Sequence, residues 1–298
     1  MRLRRTRATL IFAALTTAMA TGACGEAGED GESSGPEAEV VEDPDFPEGS
    51  QMAEYADAGS ITIGVKTDQP GIGFQGAGDE APTGFDIELG KYIAGQLGIP
   101  EDDITWEETI SDNREPFLQQ DRVDLVLASY SITPERRAIV GQMGPYYATG
   151  QQLLVREEDK EDITGVDDVN GVEVCSVTGS TSLEQIEEQG GVGRGFDTYS
   201  ECVEQVRSGA IDAMTTDGAI LLGYEAETPD ELEVVGDEFS EELYGVGYFP
   251  KDDTDFCNFL RDSMQKAIDD GYWADAFEAT LGESGIETPE APTMDECA

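Results

Sequence analysis

Short runs of β-branched and other apolar residues alternate with amphipathic stretches from residue 59 onward. Two stretches, Leu89–Leu97 and Phe256–Ile268, have apolar residues at helical spacing, and each predicts a helix with one buried stripe. The apolar runs predict buried strands at 61–65, 104–106, 124–128, 172–177, 211–215 and 232–235. Strands that alternate with helices indicate an α/β fold with largely parallel sheets.

The first residues have the pattern of a processing signal rather than of a folded element. The apolar run 8–20 follows a group of arginines: Arg2, Arg4, Arg5 and Arg7. This order of charge and hydrophobicity is typical of a secretory signal peptide, so we expect an exported protein. Cleavage after Ala20 is one interpretation. The other is cleavage before Cys24, because 21–24 resembles a lipobox, although Thr21 stands where such motifs usually carry Leu, Val or Ile.

The number of cysteines favours the lipobox. Five cysteines in an oxidising compartment leave one thiol unpaired, and acylation of Cys24 would remove it. The sequence then predicts a signal peptide over 1–23 and a lipid anchor at Cys24 that holds the chain on the outer face of the cell membrane. The other four cysteines allow three pairings. Sequence proximity favours Cys175 with Cys202 and Cys257 with Cys297, and free structural thiols are the alternative.

The charge of the chain excludes several classes of function. Lys and Arg number 17 against 65 Asp and Glu, and the formal net charge is −48. A polyanion has no basic surface for nucleic acid. The sequence contains no His, so Ser/His/Asp catalysis and the common zinc motifs are unavailable. We expect no catalytic residues, no metal and no cofactor.

Acidic residues are concentrated just after the signal. Residues 25–60 contain 12 acidic and no basic side chains, with Gly, Ser and Pro among them. Such a composition predicts a solvated, self-repelling tether, which we place at 24–58.

Three short segments follow predicted strands and carry groups that suit a zwitterion. In the first, at 129–136, Thr133 and Pro134 are a good N-cap and first residue for a helix, which places Arg136 in the first turn. Ligands of open α/β sheets bind at this edge, and a guanidinium there can hold a carboxylate through two charge-assisted hydrogen bonds. The alternative is that Arg136, like Arg137, makes a surface ion pair.

The other two segments are weaker signals. Residues 177–184 end a strand and begin a helix, with Thr181 and Glu184 as a capping box, and the free N–H groups of such a start attract an anion. Asp217 ends another predicted strand, where its carboxylate can receive an ammonium group. A plain helix cap and one acid among many are the respective alternatives.

A longer pattern unites these segments. The sequence Gly-Phe-Asp-Ile-Glu-Leu at 84–89, with Ile93, Ala94 and Leu97, resembles the signature of the family 3 extracellular solute-binding proteins of polar amino acid ABC importers. The segments at 131–136, 179–181 and 217 and the closing helices at 255–281 resemble the same family in the same order. Segments 66–71, 113–115, 175–181 and 199–202 look most like its glutamate-binding subgroup from high-GC Gram-positive bacteria, in which the cysteines also appear paired.

The resemblance implies a fold and a ligand site. The expected fold is the two-lobe, periplasmic-binding-protein-like α/β fold of type II, joined by two hinge strands near 151–155 and 244–248. Lobe one would comprise 59–152 and 246–298, and lobe two 153–245. Residues expected from the family motifs to bind the ligand's α-carboxylate are Arg136, Ser131 and Thr181, with Asp217 on the α-ammonium and further contacts from Ser129, Tyr130 and Ser180.

An acidic ligand side chain needs further cations, because an unpaired buried carboxylate is costly. The candidates are Lys66, Arg114 and Arg194, of which Lys66 and Arg114 rank first because each follows a predicted strand of lobe one. Phe74 is a candidate for packing on the ligand's methylene groups, although such a residue is more often core.

The resulting hypothesis is a monomeric, membrane-anchored binding protein that closes on a polar amino acid, with L-glutamate as the expected ligand, and delivers it to an ABC permease. Two alternatives stay open: a dehydratase of the same fold acting on a prephenate-like acid, and a receptor that presents ligand state to a signalling partner. No general acid for the dehydratase is evident in the sequence.

Overall fold

Two five-stranded sheets organise the protein, whose computed structural model describes residues 35–297. The predicted signal peptide and Cys24 lie outside the described residues. The strands are β1 Ile61–Val65, β2 Asp68–Gln69, β3 Gly73–Phe74, β4 Ile104–Glu108, β5 Leu125–Val126, β6 Gly141–Thr149, β7 Gln151–Arg156, β8 Glu173–Val177, β9 Val192–Phe196, β10 Ala213–Asp217, β11 Leu232–Val235 and β12 Glu242–Tyr248.

Helices cover both sheets. They are α1 Gln51–Ala58, α2 Phe85–Gln96, α3 Arg114–Gln119, α4 Pro134–Arg137, α5 Thr181–Glu188, α6 Tyr199–Arg207, α7 Gly218–Glu227, α8 Thr254–Asp269 and α9 Tyr272–Glu278. Short 3₁₀ turns occur at Glu101–Asp103, Ser111–Asn113, Glu157–Asp159, Val166–Asp168 and Leu281–Ser284.

Each sheet forms the centre of one lobe. The first sheet has the order β4-β1-β5-β12-β6 and the second has the order β11-β7-β10-β8-β9. In the first sheet β4, β1 and β5 are parallel to one another, and β12 and β6 pair antiparallel. In the second sheet β10, β8 and β9 are parallel to one another, and β11 and β7 pair antiparallel. The fold is therefore the predicted two-lobe α/β fold, although the sheets are mixed rather than largely parallel.

The chain crosses between the lobes twice. It passes from β6 to β7 through Gly150, and from β11 back to β12 through residues 236–241. The crossings are bonded to each other, because the N–H of Gly150 donates to Glu238 Oε1 (3.0 Å) and that of Gln151 donates to Ser240 Oγ (3.1 Å). Both crossings precede the segments predicted as hinges, which form strands β7 and β12.

Most predicted elements are present, with boundaries that differ by a few residues. β1 and β11 have the predicted bounds, and both predicted amphipathic helices are formed as α2 and α8. Thr133 caps α4 as predicted, its Oγ1 accepting from the N–H of Arg136 (3.2 Å). The predicted cap of α5 is wrong by one residue, because Ser180 rather than Thr181 is the N-cap.

An aromatic cluster fills the first lobe. Phe85 of α2 contacts the rings of Tyr146 and Tyr147 on β6 and of Trp273 and Phe277 on α9, with centroid distances of 5.4–6.3 Å. Rings at these separations and angles add to the stability from apolar burial. The cluster fixes α2, and with it the start of the motif at 84–89, against the sheet.

Residues 35–58 differ from the solvated tether expected there. The N–H of Val41 donates to the carbonyl of Gly95 on α2 (2.9 Å), and Phe46 packs edge-on against Phe259 of α8 (5.5 Å between centroids). α1 follows, with Met52 buried. The apolar side chains distributed among the acids of this segment therefore bind it to the first lobe.

The disulfides Cys175–Cys202 and Cys257–Cys297 are formed, which confirms the pairing favoured by sequence proximity. The first joins α6 to β8, and the second fastens the C-terminal tail to α8. Within residues 35–297 no helix is both long and apolar enough to span a bilayer.

Candidate functional site

A cavity lies between the lobes, where the carboxyl ends of strands from both sheets meet. Such strand ends are the usual ligand site of α/β folds. Its lining residues come from the first lobe (Ser111, Arg114, Ser129, Ser131 and Arg136) and from the second (Ser180, Thr181, Ser182, Tyr199 and Asp217). The lining is almost entirely polar, with cations on one lobe and a carboxylate on the other.

Arg136 is held at the edge of the first lobe. Its Nη1 donates to the carbonyl of Ser131 (2.7 Å), and its guanidinium lies 5.2 Å from the centre of the Tyr130 ring. Its Nη2 reaches across the cleft to the carbonyl of Gly179 (3.1 Å). The guanidinium group is thus held by its own lobe through Nη1, while Nη2 points to the opposite lobe. A ligand carboxylate can take the place of the Gly179 carbonyl there.

Arg114 and Lys66 are buried cations behind Arg136. Arg114 is 2% exposed and donates to the carbonyls of Ser111 (3.3 Å), Ala128 (3.3 Å) and Gly179 (3.4 Å). Lys66 is 3% exposed, and its Nζ donates to Ser111 Oγ (3.0 Å).

Neither cation has an anionic partner in the part of the chain that the structure describes. Among the described carboxylates, none lies within 4.0 Å of the nitrogens of Lys66 or Arg114. Burial lowers the pKa of Lys66 to about 7, and the nearby charge of Arg114 acts in the same direction. Burial likewise lowers the pKa of Arg114 to about 10. Two buried, unpaired cations make this end of the cavity favourable for an anion.

Asp217 supplies the opposite charge from the second lobe. Its Oδ2 accepts the hydroxyl of Tyr244 (2.6 Å), whereas its buried Oδ1 has no hydrogen-bond partner among the described residues. Burial and, after it, the charge of Glu242 raise the pKa of Asp217 to about 7, against the lowering effects of Tyr244, Arg114 and Arg136. An unpaired buried acceptor is costly, so the position favours a cationic donor.

The start of α5 presents Thr181 and Ser180 from the second lobe. Because Ser180 Oγ accepts from the N–H of Leu183 (3.2 Å), the hydroxyl of Thr181 is not used for capping. It donates instead to Glu242 Oε2 (3.1 Å), a buried carboxylate that also accepts from Gln185 Nε2 (2.8 Å). Glu242, the first residue of β12 after the second crossing, thereby bonds to α5, the helix whose start faces the cavity.

The loop 129–131 owes its shape to the motif at 84–89. Ser129 has a φ of 44°, in the left-handed region, and its N–H donates to Asp86 Oδ2 (2.7 Å). Asp86 also accepts the hydroxyl of Tyr146 (2.7 Å), and burial raises its pKa to about 6. Gln69 Nε2 donates to Ser129 Oγ (3.0 Å). The buried Asp86 of the family motif therefore supports the binding loop rather than the ligand.

The structure brings most of the predicted site residues together. Seven line the cavity: Arg114, Ser129, Ser131, Arg136, Ser180, Thr181 and Asp217. Tyr130 lies beneath the two guanidinium groups, and Lys66 lies behind Ser111. Phe74, in β3, is not among the lining residues, and Arg194 forms an ion pair with Glu173 at the outer edge of the second sheet.

Four residues were not found by reasoning from the sequence: Ser111, Ser182, Tyr199 and Glu242. Ser182 directly follows Thr181 in α5. The other three reach the site through long-range contacts, Ser111 with Lys66, Tyr199 with Thr216 and Glu242 with Thr181. Among residues 35–297, no cluster of three or more Cys, Asp or Glu side chains is arranged to hold a metal ion.

The fold has two α/β lobes with a small polar cavity between them, lined by side chains of both lobes. Residues 61–283 match the family of bacterial extracellular solute-binding proteins, family 3, and the chain belongs to that family.

Two proteins similar to this chain are binding proteins of bacteria. The glutamate-binding protein GluB of Corynebacterium efficiens is 36% identical over 258 residues, covering 83% of this chain and 87% of that protein. The ABC transporter glutamine-binding protein GlnH of Bacillus subtilis is 31% identical, covering 89% of this chain and 93% of that protein. A solved ancestral amino acid-binding protein, described as a precursor of cyclohexadienyl dehydratase, is 28% identical with a TM-score of 0.71, covering 78% of this chain and 100% of that chain.

Proposed function

We propose that this protein is the binding component of an amino acid ABC importer and that it holds L-glutamate between its lobes without chemical change. One observation carries the proposal: Arg136 of the first lobe and Asp217 of the second line the same cavity, and no donor among residues 35–297 reaches Asp217 Oδ1. A free amino acid has the matching charges at its α-carboxylate and α-ammonium. Thr181, Ser131 and the N–H groups at the start of α5 are placed to add contacts to the carboxylate.

Lys66 and Arg114 support an acidic side chain on the ligand. Both are buried without an anionic partner among the described residues, and a second carboxylate would supply one. Glutamine, which a relative binds, offers an amide oxygen to the same donors, but its NH₂ group needs an acceptor that two cations do not provide. The names of the GluB relatives agree with the choice of glutamate.

Lobe closure is the proposed mechanism of capture. Bonds from Arg136 and Arg114 to the carbonyl of Gly179 span the cleft, so a ligand reaches these donors only when the lobes move apart about the crossings at Gly150 and residues 236–241. A ligand that contacts both lobes binds the closed form more tightly than the open form, and this difference drives closure.

We propose that Cys24 is acylated and anchors a monomeric protein to the outer face of the membrane, where the closed form docks on the permease. Because residues 35–58 pack on the first lobe, only residues 25–34 would separate this lobe from the lipid. Ten extended residues span at most about 36 Å, so the protein would stay close to its permease.

Calorimetric titration with L-glutamate tests the binding site. Replacing Arg136 or Asp217 with Ala should weaken binding by about 100-fold or more, because each loses charge-assisted hydrogen bonds of about 1.5–3 kcal/mol apiece. Arg137, which pairs with Asp295 (2.7 Å), and the exposed Asp230 provide matched Ala controls that should bind like the wild type. Unchanged affinity in either site variant would refute the assignment.

The absence of turnover is tested separately. Incubation of the protein with L-glutamate, and with prephenate as the acid suggested by the dehydratase fold, should return both compounds unchanged by NMR. Conversion of prephenate would favour the enzyme over the binding protein.

A further inference from the structure

Asp68 of the first lobe caps a helix of the second lobe across the cleft. Its Oδ2 accepts the N–H groups of Tyr199 (2.7 Å) and Ser200 (3.3 Å), the first two residues of α6. The helix's own N-cap, Thr198, accepts from the N–H of Glu201 (3.3 Å). Asp68 therefore satisfies donors that Thr198 does not, and its negative charge lies at the end of the helix where the dipole favours an anion.

A second contact lies beside the first. The hydroxyl of Tyr224, on α7 of the second lobe, donates to the backbone carbonyl of Asp68. One residue earlier, Gly223 approaches Pro70 so closely that a Cβ atom added to the glycine would lie 2.5 Å from the Pro70 carbonyl oxygen. The two lobes thus meet backbone to backbone at this point, and only glycine permits the approach.

The residues Asp68, Pro70, Gly223 and Tyr224 that make these contacts lie outside the ligand cavity, and the helix α6 that Asp68 meets is held by a disulfide. The disulfide from Cys202 to Cys175 holds α6 on the second sheet, so the N–H groups that Asp68 accepts have a fixed position. At the same time Tyr199 lines the cavity, and its hydroxyl accepts from Thr216 Oγ1 (2.7 Å).

We propose that Asp68 and Pro70 of the first lobe, with Gly223, Tyr224 and the first turn of α6 of the second, form an interlobe latch that sets how strongly the lobes stay closed. The inference rests on the proposed function, since it concerns how the same cleft retains its ligand. The latch forms only on closure, and Asp68 and Gly223, the residues through which it is tested, do not line the ligand cavity. It therefore multiplies the affinity for every ligand by the same factor, whereas a residue in contact with the ligand changes the ratio between ligands.

Titration of two ligands separates these cases. For Asp68→Ala we expect the affinities for L-glutamate and L-glutamine to fall by the same factor, about tenfold or more, because charge-assisted bonds that exist only in the closed form are lost. Asp68→Asn keeps a neutral acceptor and should fall by a smaller common factor. Stopped-flow mixing should show that the loss of affinity comes from a higher dissociation rate, because a weaker latch opens faster. A change in the ratio of the two affinities, or no change in either, would overturn the proposal.

A glycine pair gives an independent test that leaves Asp68 intact. Gly223→Ala places a methyl group against Pro70 and should weaken both ligands by a common factor. Gly165→Ala, in the same lobe, is the control, since its added Cβ would meet only Gly236 Cα at 3.5 Å, and should bind like the wild type. Equal behaviour of the two glycine variants would contradict the latch.

A failure of the latch can be told from a failure of the proposed function. If the wild type binds no amino acid, the proposed function fails, and the closed arrangement of the lobes is then that of the ligand-free protein. Small-angle X-ray scattering of the ligand-free proteins decides the latch in that case. Asp68→Ala and Gly223→Ala should have a larger radius of gyration than the wild type and Gly165→Ala. An equal radius in all four proteins would overturn the latch.

Discussion

Binding of L-glutamate should pass through a maximum near pH 7, because two buried groups of opposite charge titrate there. Asp217 has its pKa raised to about 7 by burial and the nearby charge of Glu242, and Lys66 has its pKa lowered to about 7 by burial and the charge of Arg114. The proposed ligand needs both groups ionised, Asp217 for its ammonium and Lys66 for its second carboxylate.

The direction of each limb follows from the charge that the ligand stabilises. An ammonium group beside Asp217 favours the carboxylate and lowers its pKa in the complex, so below pH 7 binding must release a proton and affinity falls with pH. A ligand carboxylate beside Lys66 favours the ammonium form and raises its pKa, so above pH 7 binding must take up a proton and affinity falls again.

On each side of the maximum, the change in glutamate affinity with pH is set by the exchange of one proton on binding. One pH unit corresponds to about 1.4 kcal/mol, or tenfold in affinity, until the pKa of the complex is reached. At pH 5 binding should therefore be up to about 100-fold weaker than at pH 7. The side-chain carboxyl of the ligand, with a pKa of about 4.3, stays ionised over this range.

Calorimetry from pH 5 to 9, repeated in buffers of different ionisation enthalpy, measures both the affinity and the number of protons exchanged. Asp217→Asn should bind more weakly at pH 7 and lose the acid limb, and Lys66→Gln should lose the alkaline limb. A dissociation constant that is flat from pH 5 to 8, or an acid limb that persists in Asp217→Asn, would refute the reasoning.

Three further predictions concern specificity and stability. Lys66→Met should weaken glutamate by at least tenfold and glutamine by less than about threefold in competition titrations, because only glutamate brings a second charge; equal losses would contradict the assignment of Lys66. Phe46→Ala should lower the unfolding free energy by about 1–3 kcal/mol in denaturant titration, since its ring packs on Phe259, and a solvated tether would instead leave stability unchanged. Replacing Cys257 and Cys297 together with Ser should lower it by about 2–4 kcal/mol while glutamate affinity stays at the wild-type value, and loss of binding would mean that the tail supports the cleft.

Arg136 and Asp217 could be found from the sequence because their positions have local signals. Arg136 follows a helix cap that the Thr133-Pro134 pair defines, and Asp217 ends an apolar run before a helix. These signals alone leave a surface ion pair open for Arg136 and one acid among many open for Asp217, and the resemblance of the longer pattern to the family assigns both residues to one ligand. The charge on each then suggests what it binds.

Other features depend on contacts that no local pattern records. Glu242 is one acid among many in the sequence, and only its bonds to Thr181 and Gln185 set it apart. Lys66 is a candidate from the sequence because it follows a predicted strand, but only the packing shows that its ammonium group is buried. The segment 35–58 was expected to be solvated because its acidic composition was averaged over its length, whereas a few apolar side chains such as Phe46 decide that it binds the first lobe.

The central claim is that one amino acid bridges the two lobes through its own two charges, and a crystal structure of the protein grown with L-glutamate tests it most directly. The account predicts the α-carboxylate within hydrogen-bonding distance of the Arg136 guanidinium and the α-ammonium within the same distance of Asp217 Oδ1. A bound ligand that contacts only one of these two side chains, or that lies outside the cleft between the lobes, would contradict it.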